Sequence, residues 1–299
     1  MKQRFFDLFQ YFFLQLQRVS IARRLFVLGV IAVIPWSAIF FWPDNLLHIY
    51  FLNIGQGDSV FIKTPYNYQI LIDGGPSDAV LSELGKVMPF YDRNIDLVFL
   101  SHPHADHATG LIGVLKRFSV GQVLVNDIVY ETDEYQTFLS LVRDKGVSKQ
   151  SFLQGDKIRL SDGIKLTSFW PKAQTSIFEI LDINKVSQVL RLDFSQFSAL
   201  FTGDAELGVE NPELVNFEWG NIDILKVPHQ GSKGAVTKDI LEKLKPKLAV
   251  ISVGQNKFGH PSEEVIQLLS NQNIKVVRTD KEGTIEVVSD GEGWKIVNF

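Results

Sequence analysis

The chain has 299 residues, no cysteine, and 30 Lys and Arg against 34 Asp and Glu, a formal net charge of −4 at pH 7. That length carries a substantial core without cross-links, and the missing cysteines exclude disulfides, thiolate catalysis, iron–sulfur clusters and cysteine-ligated zinc, leaving any metal to histidine and carboxylates. The charge is uneven: residues 1–42 hold five basic residues and one acid, whereas residues 43–299 hold 25 basic and 33 acidic residues, a formal −8 that argues against a basic, DNA-coating face.

Residues 1–24 read as a basic and aromatic cytoplasmic segment, in which Phe5, Phe6, Phe9, Phe12, Phe13 and Leu16 follow a helical stripe suited to the inner leaflet. Residues 25–42 carry no charge over 18 positions. As a helix they span roughly 27 Å, close to a hydrocarbon core of about 30 Å, so the segment reads as a single transmembrane anchor, kinked at Pro35. The basic flank places the N-terminus in the cytoplasm and the remainder outside the cell membrane. A cleaved signal peptide is the alternative, and it would make the remainder a secreted protein.

After Pro43 the pattern turns to short β-rich runs separated by Gly, Asn and Asp. Strands are expected at 47–54, 58–63, 68–73, 96–101, 121–125, 164–170, 187–194, 197–203, 222–227, 247–252, 274–279 and 283–288, and helices at 77–88, 109–117, 133–145, 236–244 and 262–271. No linker or repeat interrupts residues 46–299, so one α/β domain is expected, with two sheets face to face and helices outside.

Five of the six histidines follow apolar strands in polar, Gly- or Pro-rich junctions. His48, at a strand start, reads as structural. The run Leu97 to Ser101 leads directly into His102-Pro103-His104-Ala105-Asp106-His107, four ligand-type side chains in six residues. In an extended turn His102 and His104 point the same way, while Asp106 and His107 are offset, which suits two adjacent ions. Gly55-Gln56-Gly57-Asp58-Ser59 lacks the Gly-Lys-Ser/Thr ending of a phosphate loop and reads as a tight turn between the first two strands.

His-x-His-x-Asp-His after a strand resembles the metallo-β-lactamase superfamily signature, over nearly all of residues 46–299. Leu71-Ile72-Asp73-Gly74-Gly75, Phe201-Thr202-Gly203-Asp204 and Gly259-His260-Pro261 are similar to its other motifs. The stretches 51–59, 200–206, 226–232 and 252–256 narrow the likeness to the hydrolase domain of the competence protein ComEC and its free-standing relatives; with one expected span, the transport channel that accompanies that domain is not expected among these residues. The resemblance implies an αββα sandwich behind the N-terminal transmembrane helix. It also implies two divalent ions, Zn²⁺ or Mn²⁺. His102, His104 and Asp204 hold the first, and Asp106, His107, His260 and the shared Asp204 the second. Asp73 supports the metal loop from behind, Asp106 also orients the attacking water, and His229 contacts phosphate or protonates the leaving group. Asp58 and Ser59 are candidates for positioning substrate.

Two positions depart from the family pattern. The superfamily usually supplies another histidine about twenty residues before the bridging aspartate, where this chain reads Asn184-Lys185-Val186-Ser187-Gln188, leaving Asn184, Ser187 or water to complete the first site and favouring Mn²⁺. Gln230 stands where relatives often carry a second histidine beside His229. By analogy the substrate is a phosphodiester, nucleic acid first, with single-stranded DNA or another phosphodiester as the candidate partner and aromatic stacking on a single strand offsetting part of the unfavourable charge; sequence alone does not distinguish Phe258 among the aromatics, nor one strand form from another. The alternatives are a small extracellular phosphoester or lactone, and a degenerate binding module without turnover.

Overall fold

The computed structural model describes residues 20, 21, 23, 25–29, 44–126, 128–173, 182–208, 212–215 and 217–298. The chain divides into two units, residues 1–44 and 45–299. In the first, residues 25–29 are helical; the rest of the expected span at 25–42, and most of the basic segment at 1–24, lie outside the described residues. Among the described residues no helix is long and apolar enough to cross a membrane.

Within the second unit, alternation along the strands sorts side chains between separate cores. One sheet contains β1 (Leu47–Phe51), β2 (Val60–Lys63), β3 (Gln69–Ile72), β4 (Asn94–Leu100), β5 (Ser119–Val125), β6 (Ser148–Ser151), β14 (Ile285–Ser289) and β15 (Trp294–Asn298), in the order β15-β14-β1-β2-β3-β4-β5-β6. The other contains β7 (Lys157–Arg159), β8 (Lys165–Trp170), β9 (Val189–Phe194), β10 (Phe197–Phe201), β11 (Ile224–Lys226), β12 (Leu248–Ile251) and β13 (Lys275–Arg278), in the order β13-β12-β11-β10-β9-β8-β7. Leu47, Ile49 and Phe51 face Leu190, Leu192, Phe197 and Phe201 in the core between the sheets. Tyr50 and Leu52 turn the opposite way, onto α1 (Ala79–Val87), α2 (Ala105–Arg117) and α3 (Asp133–Asp144). On the far side, α4 (Lys238–Leu244) and α5 (Glu263–Asn271) cover Leu200, Leu225, Ala249 and Ile251.

This is the expected two-sheet, helix-covered sandwich. Every expected strand and helix has an observed counterpart, and three further strands, β6, β7 and β15, appear. All three end a sheet and carry charged or polar residues, as edge strands do to discourage pairing with other chains; β6 and β7 are short and mostly polar, which weakens the apolar signal that marks the rest. The second helix begins at Ala105 rather than 109, which puts Asp106 and His107 in its first turn instead of an extended loop. An acidic residue there suits the helix dipole, a preference masked in the sequence by Thr109 and Gly110.

Neighbouring strands run parallel from β3 to β6 and from β10 to β13. The loops that leave the C-terminal ends of β3, β4, β10, β11 and β12 carry Asp73, the His102–His107 cluster, Asp204, His229 and His260 in turn.

Candidate metal centre

Asp73 is the foundation of the site. It is buried and adopts a left-handed backbone (φ 60°), a strained conformation that local bonding must hold in place. Its carboxylate accepts from the Ser101 N–H at 2.7 Å, from Ser101 Oγ at 2.7 Å and from His107 Nδ1 at 2.8 Å. With Nδ1 so engaged, His107 turns Nε2 inward, 3.3 Å from Asp204 Oδ1 and 3.8 Å from Asp106 Oδ2.

His102 is fixed by the same logic from two hydroxyls. Ser101 Oγ and Ser187 Oγ lie 3.1 and 3.3 Å from its Nδ1, leaving Nε2 at 3.1 Å from His104 Nδ1 and 3.9 Å from Asp204 Oδ2. Asp204 sits on the turn after β10, where Gly203 takes φ 50° and any Cβ would strike Ser187 and Ser101. Its N–H donates to Ser187 Oγ at 3.0 Å. Ser187 therefore braces both His102 and Asp204 from behind. Asn184 instead lines the cleft beside Asp204, its Oδ1 buried without a hydrogen-bond partner.

Ligand atoms of His102, His107 and Asp204 all lie within 4.8 Å of one another. The donor set fits divalent ions: imidazoles and carboxylates converge, and the buried His107 Nε2 has no hydrogen-bond partner. Electrostatics agree. Burial, reinforced by neighbouring histidines, pushes His102 well below the ordinary histidine value and lowers His104 and His260 as well, so their lone pairs are available. Burial also opposes a charge on His107, but Asp204, Asp73 and Asp106 outweigh it and hold His107 well above. A cation competes with that proton for the same carboxylates.

The remaining residues arrive from β11 and β12. His229 (φ 47°) places Nδ1 at 3.1 Å from Glu206 Oε1 and Nε2 at 3.8 Å from Asp204 Oδ2. Burial acts against its charge, but the Glu206 hydrogen bond, with Asp204, raises it above the ordinary value. The rings of His229 and His260 are 5.4 Å apart. Asp182, Asn184, Lys185, Asp204, Glu206, His229 and Lys233 line a cleft of about 230 Å³ over these groups.

Asp58 and Ser59 do not face this cleft. Gly57 (φ 136°) lets their loop press against the backbone oxygen of Asp106, which buries both side chains. Ser59 Oγ donates to the Asp73 carbonyl at 3.0 Å, and Asp58 pairs with the ammonium of Lys226, which also donates to the Gly203 carbonyl at 2.9 Å. Burial pushes the Asp58 carboxyl up to about 7 against the pull of Lys226 and His107. The pair joins a loop of one sheet to a strand of the other, so its role is architectural rather than substrate positioning. His48 is structural as expected, 2.6 Å from Glu286.

Gln230, the apparent departure from the family pattern, has a partner of its own. The Gly254 N–H donates to Gln56 Oε1 at 3.2 Å, Gln56 Nε2 to Gln230 Oε1 at 3.0 Å, and Gln230 Nε2 to Asp204 Oδ1 at 3.2 Å. This relay, together with Lys226 and Glu206, is the part of the site that sequence reasoning missed. The one available signal was Lys226, a cation inside the apolar run 224–227 that demands a buried partner.

Residues 52–181 match the profile of the metallo-beta-lactamase superfamily. The chain is 29% identical over 283 residues to ComE operon protein 3 of Bacillus subtilis, covering 88% of this chain and 36% of that protein. It is 27% identical to Recombination protein 2 of Haemophilus influenzae, covering 79% of this chain and 28% of that one. It thus spans only about a third of the length of these relatives. The crystal structure of the metallo-beta-lactamase fold protein YhfI from Bacillus subtilis superposes with a TM-score of 0.58 at 12% identity, covering 82% of this chain and all of YhfI, a likeness of fold. Motifs, two-sheet architecture and relatives together show that this chain carries a metallo-β-lactamase domain similar to that of the ComEC-like competence proteins, with candidate metal-binding residues.

Proposed function

We propose that the chain is a membrane-anchored phosphodiesterase that hydrolyses nucleic acid, single-stranded DNA in particular, outside the cytoplasm. The observation that carries this reading is the sharing of Asp204, whose two oxygens face separate imidazoles, Oδ1 toward His107 and Oδ2 toward His102, within a cleft that also presents Lys185 and Lys233. His102, His104 and Asp204 would hold one divalent ion, Zn²⁺ or Mn²⁺, and Asp106, His107, Asp204 and His260 the other. When bound, such ions supply Lewis acidity and lower the pKa of water from 15.7 to about 7.

The chain's own groups do the rest. Asp106, partly exposed beside His107, orients the attacking water and accepts its proton. Glu206 accepts from His229 Nδ1 and so keeps Nε2 on the Asp204 side, where it donates a proton to the leaving oxygen. Lys185 and Lys233 offset the charge of the phosphate among the carboxylates of the cleft. The names of the relatives, a competence operon protein and a recombination protein, support a nucleic-acid substrate. The uncharged segment at 25–42 supports the anchor, and deleting residues 1–42 is expected to move the protein from the membrane to the soluble fraction.

The full chain, stripped and reloaded with Mn²⁺ or Zn²⁺, is expected to fragment end-labelled single-stranded DNA, and His104→Ala to abolish the fragments. DNA left intact under both metals would sink the reading. The small cleft favours one other substrate class, a compact phosphoester or lactone; rapid cleavage of a chromogenic diester with oligonucleotides untouched would select it.

A further inference from the structure

An aromatic ring stands in the open beside the last metal-type histidine. Phe258 is 66% exposed, and its ring centroid lies 5.8 Å from that of His260. His260 is 5.4 Å from His229, whose Nε2 is 3.8 Å from Asp204, so three rings lead from solvent to the bridging carboxylate. Lys257 holds its ammonium 5.8 Å from the Phe258 centroid. Single exposed aromatics are ordinary on protein surfaces, and exposure alone says nothing. This one is held firmly. The Asn256 carboxamide donates to the carbonyls of Gly254 (2.9 Å) and His260 (2.8 Å) and accepts from the N–H groups of Phe258 (3.0 Å) and His260 (3.1 Å), so one side chain pins the whole loop. The exposed pair Phe90 and Tyr91 differ, since their rings pack edge-on against each other at 5.3 Å. Tyr130, on the His104 side at 5.8 Å, is tied into the cores.

We propose that Phe258 is the platform on which an unpaired nucleobase next to the scissile phosphodiester stacks, with Lys257 contacting the phosphate beyond it. The inference rests on the phosphodiesterase reading and names how such a substrate is gripped. A domain with a formal −8 cannot hold a polyanion through diffuse attraction, so affinity has to come from contacts indifferent to net charge. Base stacking is such a contact, and it needs a planar face presented without ordering cost, which the pinned loop provides.

The test compares two fluorescein-labelled strands of equal length, one of thymidine and one with the same backbone but abasic throughout, binding the full metal-loaded chain as read by anisotropy. The wild type is expected to prefer the thymidine strand by roughly 5- to 150-fold, the range that stacking of one base supplies. Phe258→Ala should bind both strands equally, Phe258→Trp should restore the preference, and Phe258→Leu should not. Lys257→Ala should keep the preference and lower the slope of log K against log salt by about 0.7. Because the Phe258 ring is exposed, these variants should melt with the wild type. A preference that survives in Phe258→Ala, or is missing from a wild type that cleaves DNA, overturns the platform and leaves the phosphodiesterase reading standing. A wild type that neither binds nor cleaves either strand overturns both.

Discussion

The relay from Gly254 through Gln56 and Gln230 to Asp204 has a direction, and that direction can be tested. A glutamine amide can present either its oxygen or its nitrogen, so only its partners decide which faces Asp204. The Gly254 N–H cannot flip, which sets Gln56 Oε1; Gln56 then donates through Nε2, which sets Gln230 Oε1 and leaves Gln230 Nε2 for the carboxylate. Gln230→Leu removes a neutral donor from a buried, charged acceptor, a bond worth about 1.5–3 kcal/mol. Loss of such an outer contact weakens metal affinity by about 10- to 100-fold, or roughly 1.4–2.7 kcal/mol. Gln56→Leu touches no metal-type residue, yet it removes the anchor that holds the Gln230 amide in place, so Nε2 spends less time on Asp204 and part of the same amount is lost. The double variant should then be no worse than Gln230→Leu, giving a coupling energy close to the whole effect of Gln56→Leu. Zn²⁺ competition against a chromophoric chelator measures all four proteins. A neutral Gln56→Leu, or two effects that simply add, would refute the relay.

Three other outcomes follow from the same geometry. Asp204→Asn should strip metal from both positions while His104→Ala removes about one ion per chain, read by elemental analysis after dialysis; equal loss in the two variants would contradict a shared Asp204. Lys226→Met should cost about 2 kcal/mol at pH 8, from one pH unit of forced protonation on Asp58 plus the lost bond to Gly203, and lower Tm by about 4–8 °C in EDTA; an unchanged melt would remove the buried pair from the architecture. His229→Ala should lower kcat on DNA by about 10²- to 10⁴-fold but far less on a p-nitrophenyl diester, whose leaving group needs no proton; equal losses on both substrates would exclude proton donation.

What the sequence disclosed follows the range of the interactions concerned. The His102–His107 cluster lies within six residues at a strand end, and strand and helix periodicity are local properties, so both could be read directly. Asp204 and His260 carry no such local mark; each is a turn residue beside glycine, and only the joint family pattern singled them out. Asp58 and Ser59 show the limit of that pattern. Their place in a Gly-rich motif beside the metal loop suggested contact with substrate, yet Gly57 folds the motif inward and buries them.

The contacts that stayed hidden join residues far apart in the chain, Gln56 with Gln230, Asp58 with Lys226, and Glu206 with His229. Two of these three pairs link the β1–β2 turn to β11 of the opposite sheet and the turn that follows it, so they depend on how the sheets stack rather than on either segment. That placement also explains why a chain with Gln230 in place of a second histidine can keep the site ordered. A histidine there would offer Asp204 a ring nitrogen whose donor or acceptor state changes with pH and metal, whereas the Gln230 amide, locked by Gln56, is a donor under every condition. The departure from the family pattern therefore exchanges a second histidine for a fixed orientation of Asp204, the carboxylate that faces both His102 and His107.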